Sequence, residues 1–254
     1  MNGMTAAVTG GASGIGRAIV LRLAARGAQV CVLDINQQAA QAVAAEVAQA
    51  GGSAFAQTCD ITDPASVRDT FGGLFARGRV DVLVNSAGIS HIGTVESTTV
   101  EDFDRVFAVN VKGTFLCMQA CVPHMVEQGG GIILNMASIA ATAALADRFA
   151  YSMSKGAVLS MTLSVAKDYI GKHIRCNCIS PARVHTPFVD GYVKKNYPGR
   201  EQEMFQKLAQ SQPIGRMGTP DEVAALAVYL CSADASFITG ADIPIDGGFF
   251  NLRG

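Results

Sequence analysis

The sequence has no excess of charge of either sign. Its 20 lysine and arginine residues stand against 21 aspartate and glutamate residues, and charged residues make up only 16% of the chain. A protein that binds a nucleic-acid backbone or an anionic membrane usually carries a strongly positive surface. The composition therefore predicts neither partner and favours a small molecule as the ligand.

The sequence also lacks a long apolar run and a leader segment. Its most apolar stretches are broken by Gly, Lys, Arg or Asp well before about 18 residues, the length needed to span a membrane. The segment Met1–Met4 leads directly into an apolar strand, without a basic segment or a cleavage site. We therefore expect a soluble, cytoplasmic protein with no membrane partner.

A framework of paired cysteines is missing as well, because the chain contains seven cysteines, an odd number. They lie in segments that look like buried strands and helices, which favours reduced thiols. Cys117 and Cys121 share a helical face, with His124 one turn further on, and a metal site is the alternative there. Core packing explains these cysteines better, and we expect no metal.

Short β-branched runs alternate with Ala-rich segments of helical period along most of the chain. This pattern is typical of βα units around a parallel sheet, and 254 residues with 49% hydrophobic content can form one large core. We predict a single α/β domain over residues 1–254, with a Rossmann-like, doubly wound sheet of seven parallel strands. The predicted strands lie near residues 4–9, 29–33, 53–58, 81–84, 131–135, 174–179 and 242–245. The predicted helices lie near residues 14–26, 37–50, 64–76, 101–127, 150–170 and 220–231.

Turn-forming residues mark the ends of several helices and one irregular segment. The predicted C-terminal stops are Gly27, Gly51 and Gly171. Thr219-Pro220-x-Glu222 predicts a capping box at the start of the last helix. Proline and glycine punctuate residues 186–217, which we interpret as a substrate lid, a surface excursion without function being the alternative.

The first strand runs into the glycine-rich turn Thr9-Gly10-Gly11-Ala12-Ser13-Gly14-Ile15-Gly16 and then into a helix. Backbone amides and the helix dipole can face a pyrophosphate there, with no Cβ in the way. The turn alone is a weak signal, because glycines also permit tight packing. The predicted cofactor contacts in this turn are Gly10, Ser13, Gly14, Ile15 and Gly16.

Asp34 ends the second strand, where a carboxylate accepts hydrogen bonds from the adenosine ribose and repels a 2′-phosphate. We therefore predict NAD rather than NADP as the cofactor, the alternative being that Asp34 caps the next helix. Further predicted cofactor contacts follow the second, third and fourth strands, at the edge where this architecture binds ligands: Ile35, Asp60, Ile61, Asn85, Ala87 and Gly88.

Tyr151 and Lys155 begin a predicted helix at i,i+4 spacing, so they share one face. An ammonium at about 4 Å is worth roughly 4 kcal/mol at an effective dielectric near 20, and each pKa unit corresponds to about 1.4 kcal/mol. We expect Lys155 to lower the pKa of Tyr151 towards neutrality. Ser138 follows the fifth strand and can polarise a substrate carbonyl, and Asn110 interrupts a long helix where it can hold a water for proton relay. An ordinary amphipathic helix is the alternative.

With these motifs in this order, the chain resembles the short-chain dehydrogenase/reductase family over essentially its full length. The matching segments are Thr9-Gly10-x-x-x-Gly14-x-Gly16, Asn85-Ser86-Ala87-Gly88, Asn110, Ser138, Tyr151-x-x-x-Lys155 and Pro181–Thr186. The sequence departs from the family in two places, because Ser86 replaces a second Asn and Ala182 replaces a Gly.

The resemblance implies roles for residues of this chain. Tyr151 would be the catalytic acid/base, Lys155 would bind the nicotinamide ribose, Ser138 would orient the substrate and Asn110 would support a water relay. Pro181, Val184 and Thr186 would contact the cofactor at its nicotinamide end. A homotetramer is also implied, and the apolar, aromatic tail Gly240–Gly254 suggests burial against a neighbouring subunit.

Arg148 lies between Ser138 and Tyr151 and, with Arg183 or His185, could clamp a substrate carboxylate. Solvent exposure or an ion pair with Asp147 is the alternative. The turn at 183–187 and the tail at 249–253 are similar to bacterial sugar and sugar-acid dehydrogenases, including those acting on L-fucose or 2-keto-3-deoxy-L-fuconate. We therefore expect hydride transfer between NAD and a secondary alcohol or ketone of a sugar or sugar acid.

Other functions remain as alternatives. A 3-oxoacyl thioester reductase would share the fold but usually uses NADP, which Asp34 disfavours. A non-catalytic NAD-binding sensor or scaffold would not need Ser138, Tyr151 and Lys155 together. A redox-silent lyase or dehalogenase would leave the glycine turn and Asp34 without a role.

Overall fold

The sheet of the protein consists of parallel strands. The computed structural model describes residues 1–252, with residues 188, 192, 195 and 196 described by their backbone alone. Within this range the strands are β1 Thr5–Thr9, β2 Gln29–Asp34, β3 Ser53–Thr58, β4 Val82–Asn85, β5 Gly131–Met136, β6 Ile174–Pro181 and β7 Asp242–Ile245. Their order is β3-β2-β1-β4-β5-β6-β7, which confirms the predicted doubly wound, Rossmann-like fold. The winding reverses between β1 and β4, so the crevice at their carboxyl ends is the expected ligand site.

Helices cover both faces of this sheet. They are α1 Gly14–Ala25, α2 Gln37–Gln49, α3 Pro64–Arg77, α4 Val100–Val106, α5 Thr114–Glu127, α6 Phe149–Tyr169, α7 Pro187–Asn196, α8 Glu201–Gln210 and α9 Pro220–Leu230. Short 3₁₀ turns occupy Ile139–Ala141, Ile170–Lys172 and Ala233–Ala235.

Alternate side chains of each strand pack into different cores. On β1, Ala6 and Val8 belong to the core formed with α1, α2 and α9, whereas Ala7 belongs to the core formed with α3 and α5. Val84 and Leu83 of β4 divide in the same way. Because both faces of the sheet are covered, its carboxyl edge is left for binding.

The predicted helix over 101–127 is interrupted at the position of Asn110. A π-helical segment, Phe107–Gly113, separates α4 from α5, and Asn110 lies in its middle. Such segments are rare and often occur at functional sites.

The helical run Val100–Glu127 is long and apolar enough, by length and composition alone, to cross a membrane. This finding differs from the expectation from the sequence, because Glu, Asp, Arg, Lys and Gly interrupt the apolar stretches within the run. Of the 18-residue apolar window within this run, 56% is buried inside the protein. Cys117, Cys121 and Met125 are fully buried in the core. Packing against the sheet therefore accounts for its composition.

The turn predictions have mixed outcomes. Gly27 and Gly51 have φ of +85° and +80°, as expected for C-terminal stops. Gly171 is not the stop that was predicted, because the chain continues through a 3₁₀ turn and the left-handed residue is His173, with φ of +58°. The predicted capping box at Thr219 is present.

The segment predicted as a lid, residues 186–217, contains two helices rather than an irregular loop. Thr186 caps α7 by accepting a hydrogen bond from the amide of Val189 at 3.4 Å, and Pro187 occupies the first turn. The proline and glycine residues that suggested irregular chain lie at helix ends, where both residue types are favoured.

All seven cysteines are buried as free thiols. Burial raises the pKa of Cys176 and of Cys231 to about 12, so both thiols stay protonated. His124, the third member of the alternative metal site, stacks on the ring of Phe75 with ring centroids 3.8 Å apart. Packing therefore accounts for these side chains.

Candidate active site

The glycine-rich turn between β1 and α1 leaves no room for a side chain at Gly10 or Gly16. A Cβ on Gly10 would lie 2.7 Å from the Cα of Ala87, and one on Gly16 would lie 2.1 Å from the carbonyl oxygen of Gly10. Gly14 has a φ of +52°, which L side chains rarely adopt. Ser13 is the N-cap of α1, and its side chain makes no capping bond within the described structure. The turn therefore offers helix amides and a hydroxyl to an anion.

Asp34 lies beside this turn. Its carboxylate accepts hydrogen bonds from the amide of Ala12 at 3.1 Å and from the amide of Asn36 at 3.0 Å. The N-cap of α2 is Asn36, which accepts from Ala39. The alternative in which Asp34 caps this helix is therefore wrong. Each carboxylate oxygen keeps a further acceptor site for a ligand hydroxyl.

The loop after β4 is fixed to the glycine turn by Thr9, whose hydroxyl accepts from the amides of Ser86 and Ala87, both at 3.2 Å. Asn85 is buried, and its amide group donates to Asn135 Oδ1 at 2.8 Å. The side chain of Asn85 therefore joins β4 to β5.

The remaining predicted cofactor contacts differ in exposure. Ile35 is 69% exposed, which is unusual for an isoleucine at the end of a core strand. Asp60 uses one carboxylate oxygen to accept from Thr62, through the amide at 2.9 Å and the hydroxyl at 2.7 Å. Ile61 is largely buried and lies against Gly113, where a Cβ would come within 2.6 Å of it. Ile35 and Asp60 are thus the more accessible groups at this end of the crevice.

Tyr151, Lys155 and Ser138 meet where β5 ends and α6 begins. The Lys155 ammonium lies 5.8 Å from the centroid of the Tyr151 ring and donates a hydrogen bond to the carbonyl of Met136 at 2.6 Å. The Ser138 hydroxyl is near enough to Tyr151 to lower the pKa of its phenol, and it accepts from the amide of Ala140 at 3.1 Å. The structure therefore brings together the three polar groups that the sequence analysis singled out.

The ionisation of this cluster differs from the expectation. Burial raises the pKa of Tyr151, while the Ser138 hydroxyl and the positive charges of Arg148 and Arg183 act to lower it. Burial also lowers the pKa of Lys155 to about 8. The pKa of Tyr151 is therefore not lowered towards neutral pH by Lys155 in this structure, because desolvation of the phenolate outweighs the neighbouring positive charges.

Alcohol oxidation should consequently favour alkaline pH. If Tyr151 is the base that the family resemblance implies, oxidation needs its ionised form. The raised pKa makes that form scarce at neutral pH, so kcat/KM should increase as the pH rises from neutrality. Arg148→Met removes a charge that lowers the pKa of Tyr151 and should move this increase to higher pH. The measurement is the pH profile of kcat/KM with an uncharged substrate. A profile that is flat or falls towards alkaline pH would contradict the assignment of Tyr151 as the base.

Asn110 is held by several hydrogen bonds. Its side chain accepts from the amide of Ile89 and donates to the carbonyl of the same residue, both at 2.8 Å, and it donates to Ser154 Oγ at 2.9 Å. Ser154 in turn donates to the carbonyl of Tyr151 at 2.7 Å. Both donors of the Asn110 amide are therefore engaged, which leaves its side chain linking the loop after β4 to α6.

The turn that follows β6 reaches the glycine turn. A Cβ on Gly14 would lie 3.7 Å from the Cγ2 methyl of Thr186. The backbone of Arg183 and His185 pairs with Gly218 through two hydrogen bonds of 2.8 Å, and Val184 is 7% exposed. The segment Pro181–Thr186 therefore brings Thr186 beside the glycine turn, and Ala182, which replaces a family glycine, donates to the carbonyl of Ile245 at 3.1 Å.

The three residues predicted to clamp a substrate carboxylate occupy different surroundings. Arg148 donates to the carbonyl of Asp147 at 3.2 Å, and the described residues include no ion pair between these two side chains. Arg183 is close enough to Tyr151 to lower its pKa. His185 pairs with Asp190 at 2.7 Å, which ties it to α7. The ion-pair alternative for Arg148 is therefore not supported, and two arginine charges act on the reacting centre.

One largely buried polar group near α4 was not predicted from the sequence. His91, in the irregular chain after β4, lies 3.2 Å from an oxygen of Asp102 on α4. A histidine eleven residues from an aspartate is no signal by itself, because only the fold brings the two together.

The fold and this site define a nucleotide-binding α/β protein with a tyrosine, a lysine and a serine at its crevice. The family described as "Enoyl-(Acyl carrier protein) reductase" matches residues 10–250. The D-threitol dehydrogenase of Mycolicibacterium smegmatis is 42% identical over 250 residues, which cover 98% of this chain and 94% of that protein. The 2-keto-3-deoxy-L-fuconate dehydrogenase of Xanthomonas campestris pv. campestris is 36% identical, with 99% and 81% covered.

Solved structures agree with these relatives. Levodione reductase superposes with a TM-score of 0.95 at 30% identity, and all of both chains is covered. A putative NAD(P)-dependent gluconate 5-dehydrogenase from Beutenbergia cavernae, with NADP bound at low occupancy, has a TM-score of 0.91 at 32% identity, with 98% of this chain and 97% of that chain covered. The chain belongs to the short-chain dehydrogenase/reductase family. It is therefore an oxidoreductase that acts on alcohols or ketones.

Proposed function

We propose that the protein transfers a hydride between NAD and a secondary alcohol or ketone of a sugar or sugar acid. The observation that carries this proposal is the cluster of Tyr151, Ser138 and Lys155 at the carboxyl edge of the sheet, beside a turn that side chains would block. Bound there, the nicotinamide would accept the hydride from the carbinol carbon.

The chain's own residues then handle the proton and the orientation of the substrate. Tyr151 Oη, once ionised, takes the proton from the substrate hydroxyl, and returns it to the carbonyl oxygen in the reverse reaction. Ser138 donates a hydrogen bond to the same substrate oxygen. Lys155 would leave the carbonyl of Met136 to bind the nicotinamide ribose, and its positive charge would favour the phenolate. Pro181, Val184 and Thr186 would hold the nicotinamide end of the cofactor.

The preference for NAD over NADP rests on Asp34. A carboxylate at the ribose accepts hydrogen bonds from its hydroxyls and repels a 2′-phosphate. The first basic residue after the glycine turn, Arg17, is bonded to both carboxylate oxygens of Glu46 at 2.5 and 2.6 Å. That pairing keeps Arg17 from neutralising a phosphate.

Arg148 and Arg183 favour a substrate with an anionic group near the reacting carbon. Both charges act on Tyr151, and a planar guanidinium binds a carboxylate through two parallel hydrogen bonds. A sugar acid provides the carboxylate and the secondary hydroxyl together. D-threitol and its aldonic acid, threonate, form a suitable neutral and acidic pair of probes.

Replacing Arg148 with methionine should raise KM for threonate by about 10- to 100-fold, since charge-assisted hydrogen bonds are worth about 1.5–3 kcal/mol. KM for D-threitol should stay nearly constant, because this neutral substrate has no carboxylate for Arg148 to bind. Steady-state NADH formation measures KM for threonate and KM for D-threitol. If threonate is not oxidised, its inhibition constant against D-threitol is measured instead. The matched control is Arg68→Met on the exposed face of α3. An unchanged KM for threonate would exclude Arg148 from substrate binding.

A thioester reductase is the second candidate, because the matched family description names an acyl-carrier-protein reductase. It would accept a 3-oxoacyl thioester with NADPH, and kinetics with both coenzymes separate the two functions. A non-catalytic sensor or scaffold would bind NAD without turnover.

We also propose that the protein is a homotetramer and that it is cytoplasmic. The exposed Phe237 and Leu252 near the tail support the tetramer, and the molecular mass measured by light scattering tests it. Arg253 and Gly254 of that tail lie outside the described residues.

A further inference from the structure

Residues 88–93, here named the strap, run from the catalytic lysine to the start of α6. At one end, a Cβ on Gly88 would lie 3.5 Å from the Lys155 ammonium, and Ile89 is bound to Asn110 through both its amide and its carbonyl. The strap is not part of a helix or strand. Its backbone groups therefore depend on such outside partners for their position.

The other end of the strap holds Arg148 by its backbone. Gly93 donates to the carbonyl of Asp147 at 3.0 Å and accepts from the amide of Phe149 at 3.1 Å. These two bonds flank Arg148 on either side. Asp147 has a φ of +55°, a backbone conformation that residues other than glycine rarely adopt. The loop before α6 is therefore held in an uncommon shape by its contact with Gly93.

His91 lies between these two ends and is nearly buried. Its side chain is 12% exposed, and Nε2 lies 3.2 Å from Asp102 Oδ2. Nδ1 is buried without a hydrogen-bond partner in the described structure, so the contact with Asp102 is made by Nε2. The imidazole also packs under Gly93, because a Cβ there would come within 2.7 Å of His91 Cε1.

Asp102 is itself held in place on α4. Its second oxygen accepts from Arg105 at 2.6 Å, and its amide donates to the capping hydroxyl of Thr99 at 3.1 Å. The His91 link therefore fastens the middle of the strap to a fixed point of the helix. An imidazole that leaves one nitrogen unpaired is costly in a buried place, and His91 has this arrangement at Nδ1.

We propose that His91 is a positioning residue for the substrate: by binding Asp102 it fixes the strap, and through Gly93 it fixes the loop that carries Arg148. Affinity for an acidic substrate then depends on His91, whereas hydride transfer itself does not. This inference rests on the proposed function, because it concerns the anion site next to Tyr151.

The test compares three variants. His91→Leu removes the link, His91→Gln retains a donor that can reach Asp102, and Glu101→Gln on the exposed face of α4 is the matched control. His91→Leu should raise KM for threonate by about 5- to 10-fold, the effect of losing about 1–1.4 kcal/mol of positioning. KM for D-threitol and kcat should stay within about twofold of the wild-type values. His91→Gln should restore most of the threonate affinity.

A second readout does not require turnover. Hydrogen exchange of the amides of Gly93 and Phe149 should become faster in His91→Leu and stay close to wild type in His91→Gln. If His91→Leu does not fold, Asp102→Ala removes the carboxylate that His91 contacts on α4 and takes its place. The proposal is overturned if KM rises equally for acidic and neutral probes, if glutamine behaves like leucine, or if exchange at these amides is unchanged. Absence of turnover in the wild type would instead count against the proposed function.

Discussion

Replacing Tyr151 with phenylalanine should lower kcat for NAD-linked alcohol oxidation by about 10²–10⁴-fold, the usual effect of losing a general acid or base. The substitution removes the oxygen that is proposed to take the substrate proton and that the Ser138 hydroxyl influences. The ring and its packing remain. NADH affinity, measured by fluorescence titration, should therefore change by less than about threefold.

Tyr169→Phe is the matched control for this experiment, because it makes the same chemical change at the far end of the same helix. It should leave kcat unaffected. Retention of more than about a tenth of the activity by Tyr151→Phe would show that another group moves the proton, given the size of the effect expected for a general base.

Replacing Asp34 with asparagine should have the second large effect, on the choice of coenzyme. The asparagine oxygen can still accept from a backbone amide, but the negative charge that repels a 2′-phosphate is lost. We expect kcat/KM for NAD to fall by about 10- to 100-fold, since hydrogen bonds to a charged group are worth about 1.5–3 kcal/mol. The value for NADP should rise, so that the preference for NAD shrinks or reverses.

Steady-state kinetics with both coenzymes measure this change in preference. Asp69→Asn, which removes the same charge from the exposed surface of α3, is the control and should change neither value. If the ratio of the two coenzymes is the same in Asp34→Asn as in the wild type, the ribose is not bound at this carboxylate.

Local patterns in the sequence predict the frame of the protein and the identity of the central groups. The alternation of strand and helix periods places each strand within a few residues, because buried parallel strands and amphipathic helices have distinct periodicities. The i,i+4 spacing of Tyr151 and Lys155 places them on one helix face, and the glycine turn follows from its position between β1 and α1.

What the sequence does not predict depends on contacts between distant segments. Asn85 bonds to Asn135, 50 residues away, and the link from His91 to Asp102 depends on how the strap crosses α4. The raised pKa of Tyr151 is a consequence of burial, which no spacing rule reports. The helices α7 and α8 were not predicted, because the proline and glycine residues at their ends indicated an irregular segment.

The most direct test is a crystal structure of the protein with NADH. The account predicts the pyrophosphate at the glycine turn, the adenosine ribose at Asp34 and the nicotinamide between Thr186 and the phenolic oxygen of Tyr151, with the Lys155 ammonium turned to its ribose. A dinucleotide bound elsewhere, or a Tyr151 oxygen facing away from the nicotinamide, would contradict it.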